Sequence, residues 1–224
     1  MGRHHPQARR ARAVTGRAVS SVRGPDGVRR CWWGASDPLY VQYHDHEWGR
    51  PRMDDRHLFE HICLEGFQAG LSWITILRKR SNFREAFADF ALERVARFNT
   101  RSVERLLRNK GIIRHRGKIR SAINNARRAI EIIDSHGSLA AYLWQYEPHA
   151  SPRRRVTRAT LPVTCPESHA LSSDMKRRGW SFVGPTGIYA LMQAIGVIND
   201  HVSTCDIRSV IEDRRHAIRI PAIR

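Results

Sequence analysis

No run of about eighteen apolar residues occurs anywhere in this chain, so no segment is expected to span a bilayer as a helix. No continuous apolar stretch lies near the N-terminus, so no signal peptide is expected either. Cysteine is scarce, with four in 224 residues. Without a secretion signal that argues against a disulfide scaffold and leaves metal binding or plain burial. No segment recurs at the period of a solenoid, and no phosphate-cradling NTP motif is present. The most telling shortage is acid: 21 Asp and Glu stand against 39 Lys and Arg, a formal charge of +18. So large an excess points to a polyanionic partner, nucleic acid first. The first thirty residues carry eight arginines and one acid, the last nineteen five arginines and three acids, so +9 belongs to residues 31–205. The body is therefore basic in its own right. Hydrophobic residues make up 41% of the chain, enough for an ordinary core.

The length is that of one domain with tails. Residues 1–27 lack apolar periodicity and are expected to form a basic disordered extension, a nonspecific DNA-binding arm or an inert leader. Their Arg- and Ser-containing, acid-poor composition loosely resembles a transit peptide. Pro6 excludes a myristoylation signal, which needs Ser or Thr at that place. Residues 28–205 are expected to form the folded body and 206–224 a C-terminal tail. The body reads as all-α. Asp54 and Asp55 can cap a helix carrying Leu58, Phe59, Ile62, Cys63 and Phe67. Further helices are expected from about Ser72, over 103–107 with Thr100 as cap, over 118–133, from Pro166 to about Arg178, and over 185–197. The stretch 156–162 is the one plausible strand.

Cys31 and His44 stand near the start of the body; His201 and Cys205, spaced H-x3-C, stand near its end, about 160 residues on. That spacing would put both side chains of the second pair on one side of a helical turn. Two thiolates and two imidazoles suit a closed tetrahedral zinc site, structural because no position is left open for water. Such an ion would clasp the two ends of the body together. On spacing alone buried thiols and ordinary histidines explain the same residues, and His46 competes as a ligand.

Trp33, Tyr40, Tyr43 and Trp48 crowd into sixteen residues, and Trp73 follows the run LEGFQAGLSW. Each alone suits a core; together, in a basic protein, they are what a base-stacking pocket needs. Glu65 lies inside an otherwise apolar helix, where a carboxylate is costly to bury unless it meets a cation or several donors; facing water or an arginine is the alternative. The turn 183–187 (VGPTG) precedes a helix and follows Arg177 and Arg178, an arrangement that binds phosphate through amides, or simply makes an αα corner.

The blocks CWWGASDPLYVQYHDHEWG, LFEHICLEGFQAGLSWITILRKR, GIIRHRGKI and FVGPT…MQAIGVINDHVSTC closely resemble the bacterial 3-methyladenine DNA glycosylase I family of the helix-hairpin-helix superfamily. The resemblance runs from about Cys31 to Cys205. It implies a helix-hairpin-helix glycosylase fold, one structural zinc on Cys31, His44, His201 and Cys205, and no ligand role for His46. It also implies a base pocket of Trp33, Tyr40, Tyr43 and Trp73 around Glu65, the residue expected to be catalytic. A hairpin gripping phosphate with Gly184, Thr186 and Gly187 is implied too. We add Leu71, at the tip of QAGLSW, as the side chain that fills the gap left by a flipped base. Asn199, with Asp200 beside it, stands about where many hairpin glycosylases carry a catalytic Asp, and no lysine stands at the Schiff-base position of bifunctional relatives. The implied activity is monofunctional hydrolysis of the N-glycosidic bond of 3-methyladenine in alkylated double-stranded DNA, with the free base as product ligand. A monomer without membrane attachment, in the bacterial cytoplasm at the nucleoid, completes the expectation. Competing readings are a non-catalytic zinc-containing DNA-binding module and a basic RNA-associated protein. Trp32, at a place often small in relatives, and the tail after Cys205 depart from the pattern.

Overall fold

The computed structural model describes residues 19–148 and 155–223. The extension expected over 1–27 therefore lies mostly outside the described residues. Its last part does not: Ser21–Arg23 (β1) pairs antiparallel with Arg29–Cys31 (β2), placing Ser21 opposite Cys31. The hairpin is pinned from beneath. Arg30, only 4% exposed, reaches Asp26 across the turn and Asp45 in the body, both at 2.6 Å. No local periodicity announces an ion pair of that kind.

Eleven α-helices make up most of the described residues. Asp37 caps α1 (Pro38–His46) by accepting from Leu39 N, with Pro38 in the first turn, where its missing N–H costs nothing. Asp54 caps α2 (Asp55–Gln68), and a short α3 (Trp73–Leu77) follows the turn through Gly70 and Leu71. Next come α4 (Arg80–Ala86), α5 (Leu92–Ala96) and α6 (Thr100–Arg108). The cap of α6 is Asn99, in a reciprocal box with Ser102, and not Thr100: the shorter-reaching threonine sits one residue inside. The long α7 (Arg116–His136) and α8 (Leu139–Trp144) lead to α9 (Pro166–Arg177) and α10 (Pro185–Ala194). The expected strand 156–162 is absent; the segment is irregular, held by Val156 N on Ser203 Oγ at 2.8 Å and Ser203 N on Val156 O at 2.9 Å. Beyond Cys205 the chain forms α11 (Ile207–Ala217), which buries Ile211 completely and bonds Arg215 to the carbonyls of Gly196 and Val197. Among the described residues no helix is long and apolar enough to cross a membrane.

Two apolar clusters result. The larger unites α2 with α4–α10 around Phe59, Phe67, Phe83, Phe87 and Phe90. The smaller joins Cys31, Tyr43, Trp48, Leu77, Val202 and Cys205, and so holds the two ends of the body. A fully buried large apolar side chain contributes roughly 1.5–3 kcal/mol, so the larger cluster is self-sufficient while the smaller one is where a cross-link matters most. The ends are also drawn in by a close crossing at the end of α10. A Cβ on Gly196 (φ +84) would lie 2.6 Å from Pro51 N, so only glycine fits there.

Candidate functional site

A cavity of about 480 Å³ opens where the two clusters meet. All five residues expected to form a base pocket line it, from four places in the chain. Trp33 comes from the loop after β2. Tyr40 and Tyr43 lie three apart on α1 and so share a face. Glu65 comes from α2 and Trp73 from the first position of α3. The rings form a connected wall: Trp33 meets Tyr40 edge-on at 5.6 Å between centroids, and Tyr43 meets Trp73 at 5.6 Å. Tyr40 is fixed by accepting from Ile74 N through its hydroxyl at 3.0 Å.

Glu65 is half-buried, yet its Oε2 is wholly enclosed and has no hydrogen-bond partner. Burial pushes its carboxyl up to about 8. Trp73 Nε1 is also enclosed and unpartnered. An orphan acceptor and an orphan donor inside an aromatic cage are unfavourable until a ligand with a complementary edge satisfies them. Burial likewise pushes the Tyr43 hydroxyl well up, so it stays neutral.

Several lining residues were not expected. Gln68 follows Glu65 by three on α2, where helical spacing was the available signal; Gln193 comes from α10, where no residue was expected to line the pocket. Arg158 and the segment 161–163 carried no local signal, since they reach the rim by tertiary packing alone. Trp32, by contrast, was expected at the rim beside Trp33; it lines the cavity with the Arg158 guanidinium 5.2 Å from its ring centre, narrowing the mouth by a cation–π pair.

Leu71 is 41% exposed in the turn after α2. That turn is anchored by Lys118 of α7, a residue sequence reasoning missed. Its Nζ donates to Phe67 O at 2.9 Å and Ala69 O at 2.5 Å, satisfying the end of α2. The turn before α10 is tied to α7 in turn, through Asn125 Nδ2 and Ser121 Oγ on Ser181 O at 2.9 and 3.0 Å. Phe182, with φ +55 and 42% exposed, projects from it and was also missed. Nothing lies within 4 Å of a Cβ built on Gly184 or Gly187, so a bulky anion can approach the first-turn amides of Thr186 and Gly187.

Cys31, His44 and Cys205 bring their ligand atoms within 4.8 Å of one another, all buried. His201 lies beside this group of three, its ring centre 4.9 Å from that of His44. Both imidazoles are oriented from behind: His44 Nδ1 lies 2.8 Å from Asp45 Oδ1, and His201 Nδ1 lies 3.1 Å from Asn199 Oδ1. That turns the Nε2 atoms inward, and His201 Nε2 is buried with no partner. The donor set suits a tetrahedral soft-to-borderline cation. Burial pushes the His201 imidazole down to about 2, which keeps it neutral and its Nε2 a lone-pair donor. The Cys31 thiol draws Cys205 towards the thiolate, and the negative Cys205 then holds Cys31 up; a cation would relieve both. Gly34 is required beside them, because a Cβ there would lie 2.6 Å from the His44 ring. His46 lies outside the cluster. The expected helical turn for H-x3-C is not formed. His201 and Cys205 sit instead on a non-helical turn closed by Cys205 N on Val202 O at 2.8 Å.

A family model described as methyladenine glycosylase matches residues 32–209. DNA-3-methyladenine glycosylase 1 of Escherichia coli (strain K12) is 47% identical over 182 residues, 80% of this chain and 96% of that protein. The DNA-3-methyladenine glycosylase of Haemophilus influenzae (strain ATCC 51907 / DSM 11121 / KW20 / Rd) is 38% identical, covering 80% of this chain and 98% of its own. A crystal structure of a variant 3-methyladenine DNA glycosylase I in complex with 3-methyladenine superposes with a TM-score of 0.75 at 33% identity, over 80% of this chain and 97% of that one.

Proposed function

The chain belongs to the methyladenine glycosylase family, and from that premise we infer that it is a DNA repair glycosylase that hydrolyses the N-glycosidic bond of 3-methyladenine in alkylated duplex DNA. The observation that carries the reading is the aromatic cage closed around the unpaired Glu65 carboxylate. The methylated nucleoside is cationic. It gains from stacking on Trp33, Tyr40, Tyr43 and Trp73, and from the charge of Glu65, in a way neutral adenine does not. The base must first leave the stack. We assign the amides at Gly184, Thr186 and Gly187, in a helix-hairpin-helix arrangement of α9 and α10, to a backbone phosphate, and Leu71 to the vacated space.

In the reaction the glycosidic bond breaks with its electron pair passing to the base, which becomes neutral. Water adds to the sugar carbon and releases one proton, leaving an abasic site. The leaving group brings its own activation, so extraction and selection of the charged base supply the specificity. No lysine lines the cavity among the described residues, which supports monofunctional chemistry without strand cleavage. The donor set supports one structural zinc on Cys31, His44, His201 and Cys205, whose contribution is to hold the chain ends that carry Trp33 and Trp48. The reading includes a monomeric, cytoplasmic protein acting at the nucleoid, with residues 1–27 as an extension, 28–205 as the glycosylase body and 206–224 as a tail braced on it.

The deciding experiment is base release from methylated duplex DNA, resolving 3-methyladenine, 7-methylguanine and 3-methylguanine. Selective release of 3-methyladenine without nicking is expected. Binding without release would favour a recognition module. In Glu65→Ala, affinity for free 3-methyladenine should vanish with the fold intact; unchanged affinity would sink the pocket assignment.

A further inference from the structure

Gln193 lines the cavity from α10, across from the contribution of α2. Its Nε2 donates to Asp200 Oδ2 at 2.9 Å, and the same oxygen accepts the Tyr189 hydroxyl. Asp200 is 7% exposed, so water competes poorly for it. A carboxylate only accepts hydrogen bonds, whereas a glutamine amide has one accepting and one donating end. The amide therefore cannot turn round. Its nitrogen faces Asp200, and Oε1 is the end left over to accept.

We propose that Asp200 locks the Gln193 amide so that α10 presents a carbonyl acceptor to the bound base, and that this acceptor selects a base edge bearing an amino group over one bearing a carbonyl oxygen. The proposal rests on the reading of the cavity as a pocket for methylated purines and names how one purine is told from the other. The exocyclic amine of adenine donates to such an acceptor. The oxygen at the same place in guanine sets lone pairs against lone pairs and leaves the Gln193 oxygen desolvated and unpaired, an outcome that sites built for a donor reject strongly. Gln193 is then a specificity-determining residue and Asp200 a positioning residue that acts through it.

The test is the ratio of kcat/KM for release of 3-methyladenine to that for 3-methylguanine from one methylated duplex, using the full chain. Asp200→Asn replaces an obligate acceptor by a group that donates or accepts, so the amide is freed to turn. The ratio should narrow at least tenfold, with 3-methylguanine release maintained or raised. Because Asp200 adjoins His201, Gln193→Leu is the second variant; it deletes the acceptor without touching the metal ligands and should narrow the ratio likewise. Tm and zinc content are followed in both. A parallel loss of both activities at the wild-type ratio, in both variants, would mean a merely structural role and would overturn the proposal. Failure of the wild-type protein to release either base would instead strike at the reading of the cavity itself.

Discussion

At the scale of single residues, Glu65 shows how a site conflicts with stability. Its carboxyl is raised by burial from 4.5 to about 8. A group that holds its proton more tightly folded than unfolded destabilises the fold as pH rises between the two values. Between pH 4.5 and about 8 the free protein therefore loses stability through Glu65. At about 1.4 kcal/mol per unit the loss is on the order of 5 kcal/mol at most. Glu65→Gln should melt higher than the parent at pH 8 and coincide with it near pH 5; superimposable Tm profiles would show that the carboxyl is not enclosed as described. The same change should lower 3-methyladenine release roughly 10- to 100-fold, as loss of a hydrogen bond to a charged group does. In the parent, kcat/KM should climb with pH towards 8 as the carboxylate forms, and Glu65→Gln should flatten that rise.

Among the elements, the start of α10 and the turn after α2 face the proposed DNA path. Gly187→Glu places a carboxylate where a phosphate is expected, in space that is open to it. Duplex affinity should fall about tenfold or more while free-base affinity is unchanged, and the slope of log affinity against log salt should shrink by about one. Equal losses of both affinities would move the phosphate contact elsewhere. How legible each element was depended on its apolar repeat. The stripes of α2 and α7 are long, so both helices were readable from spacing. The α1 stretch mixes aromatics, histidines and acids that serve the pocket and the metal cluster, and its helix is carried by the Asp37 cap and Pro38 instead of a stripe. The segment 156–162 has the composition of a strand but finds no partner strand: Ser203 takes both backbone groups of Val156, Thr160 takes Thr157 N and Ser20 takes Arg158 N.

For the whole molecule, the cysteine–histidine cluster and the aromatic cavity share a wall. Trp48 packs on His201 at 4.5 Å, and Trp33 on His44 at 5.2 Å, and both tryptophans line the cavity. Cys205→Ser should therefore lower zinc content and Tm together, and weaken base binding as the wall loosens. A Tm drop of roughly 10 °C is expected, at about 2–4 °C per kcal/mol for a chain of this size. Full zinc occupancy in that variant, measured by atomic emission, would refute the ligand set. The basic leader makes a further demand: removing residues 1–18, which spares the β1–β2 hairpin, should weaken duplex binding at low salt without changing which base is released. A change in selectivity would mean that the leader reaches the pocket.

The residue types, the strong helices and the family were determined by the sequence alone. Charge, aromatic clustering and amphipathic spacing are local properties, and long specific blocks carry resemblance. What the tertiary structure decided is which distant groups share a space. It brought Arg158 and the 161–163 rim to the mouth, set Lys118 under the Leu71 turn, closed His201 and Cys205 on a turn instead of a helix, and faced Gln193 with Asp200. Each of these depends on burial and on hydrogen bonds between segments far apart in the chain, and no pattern along the chain encodes them one residue at a time.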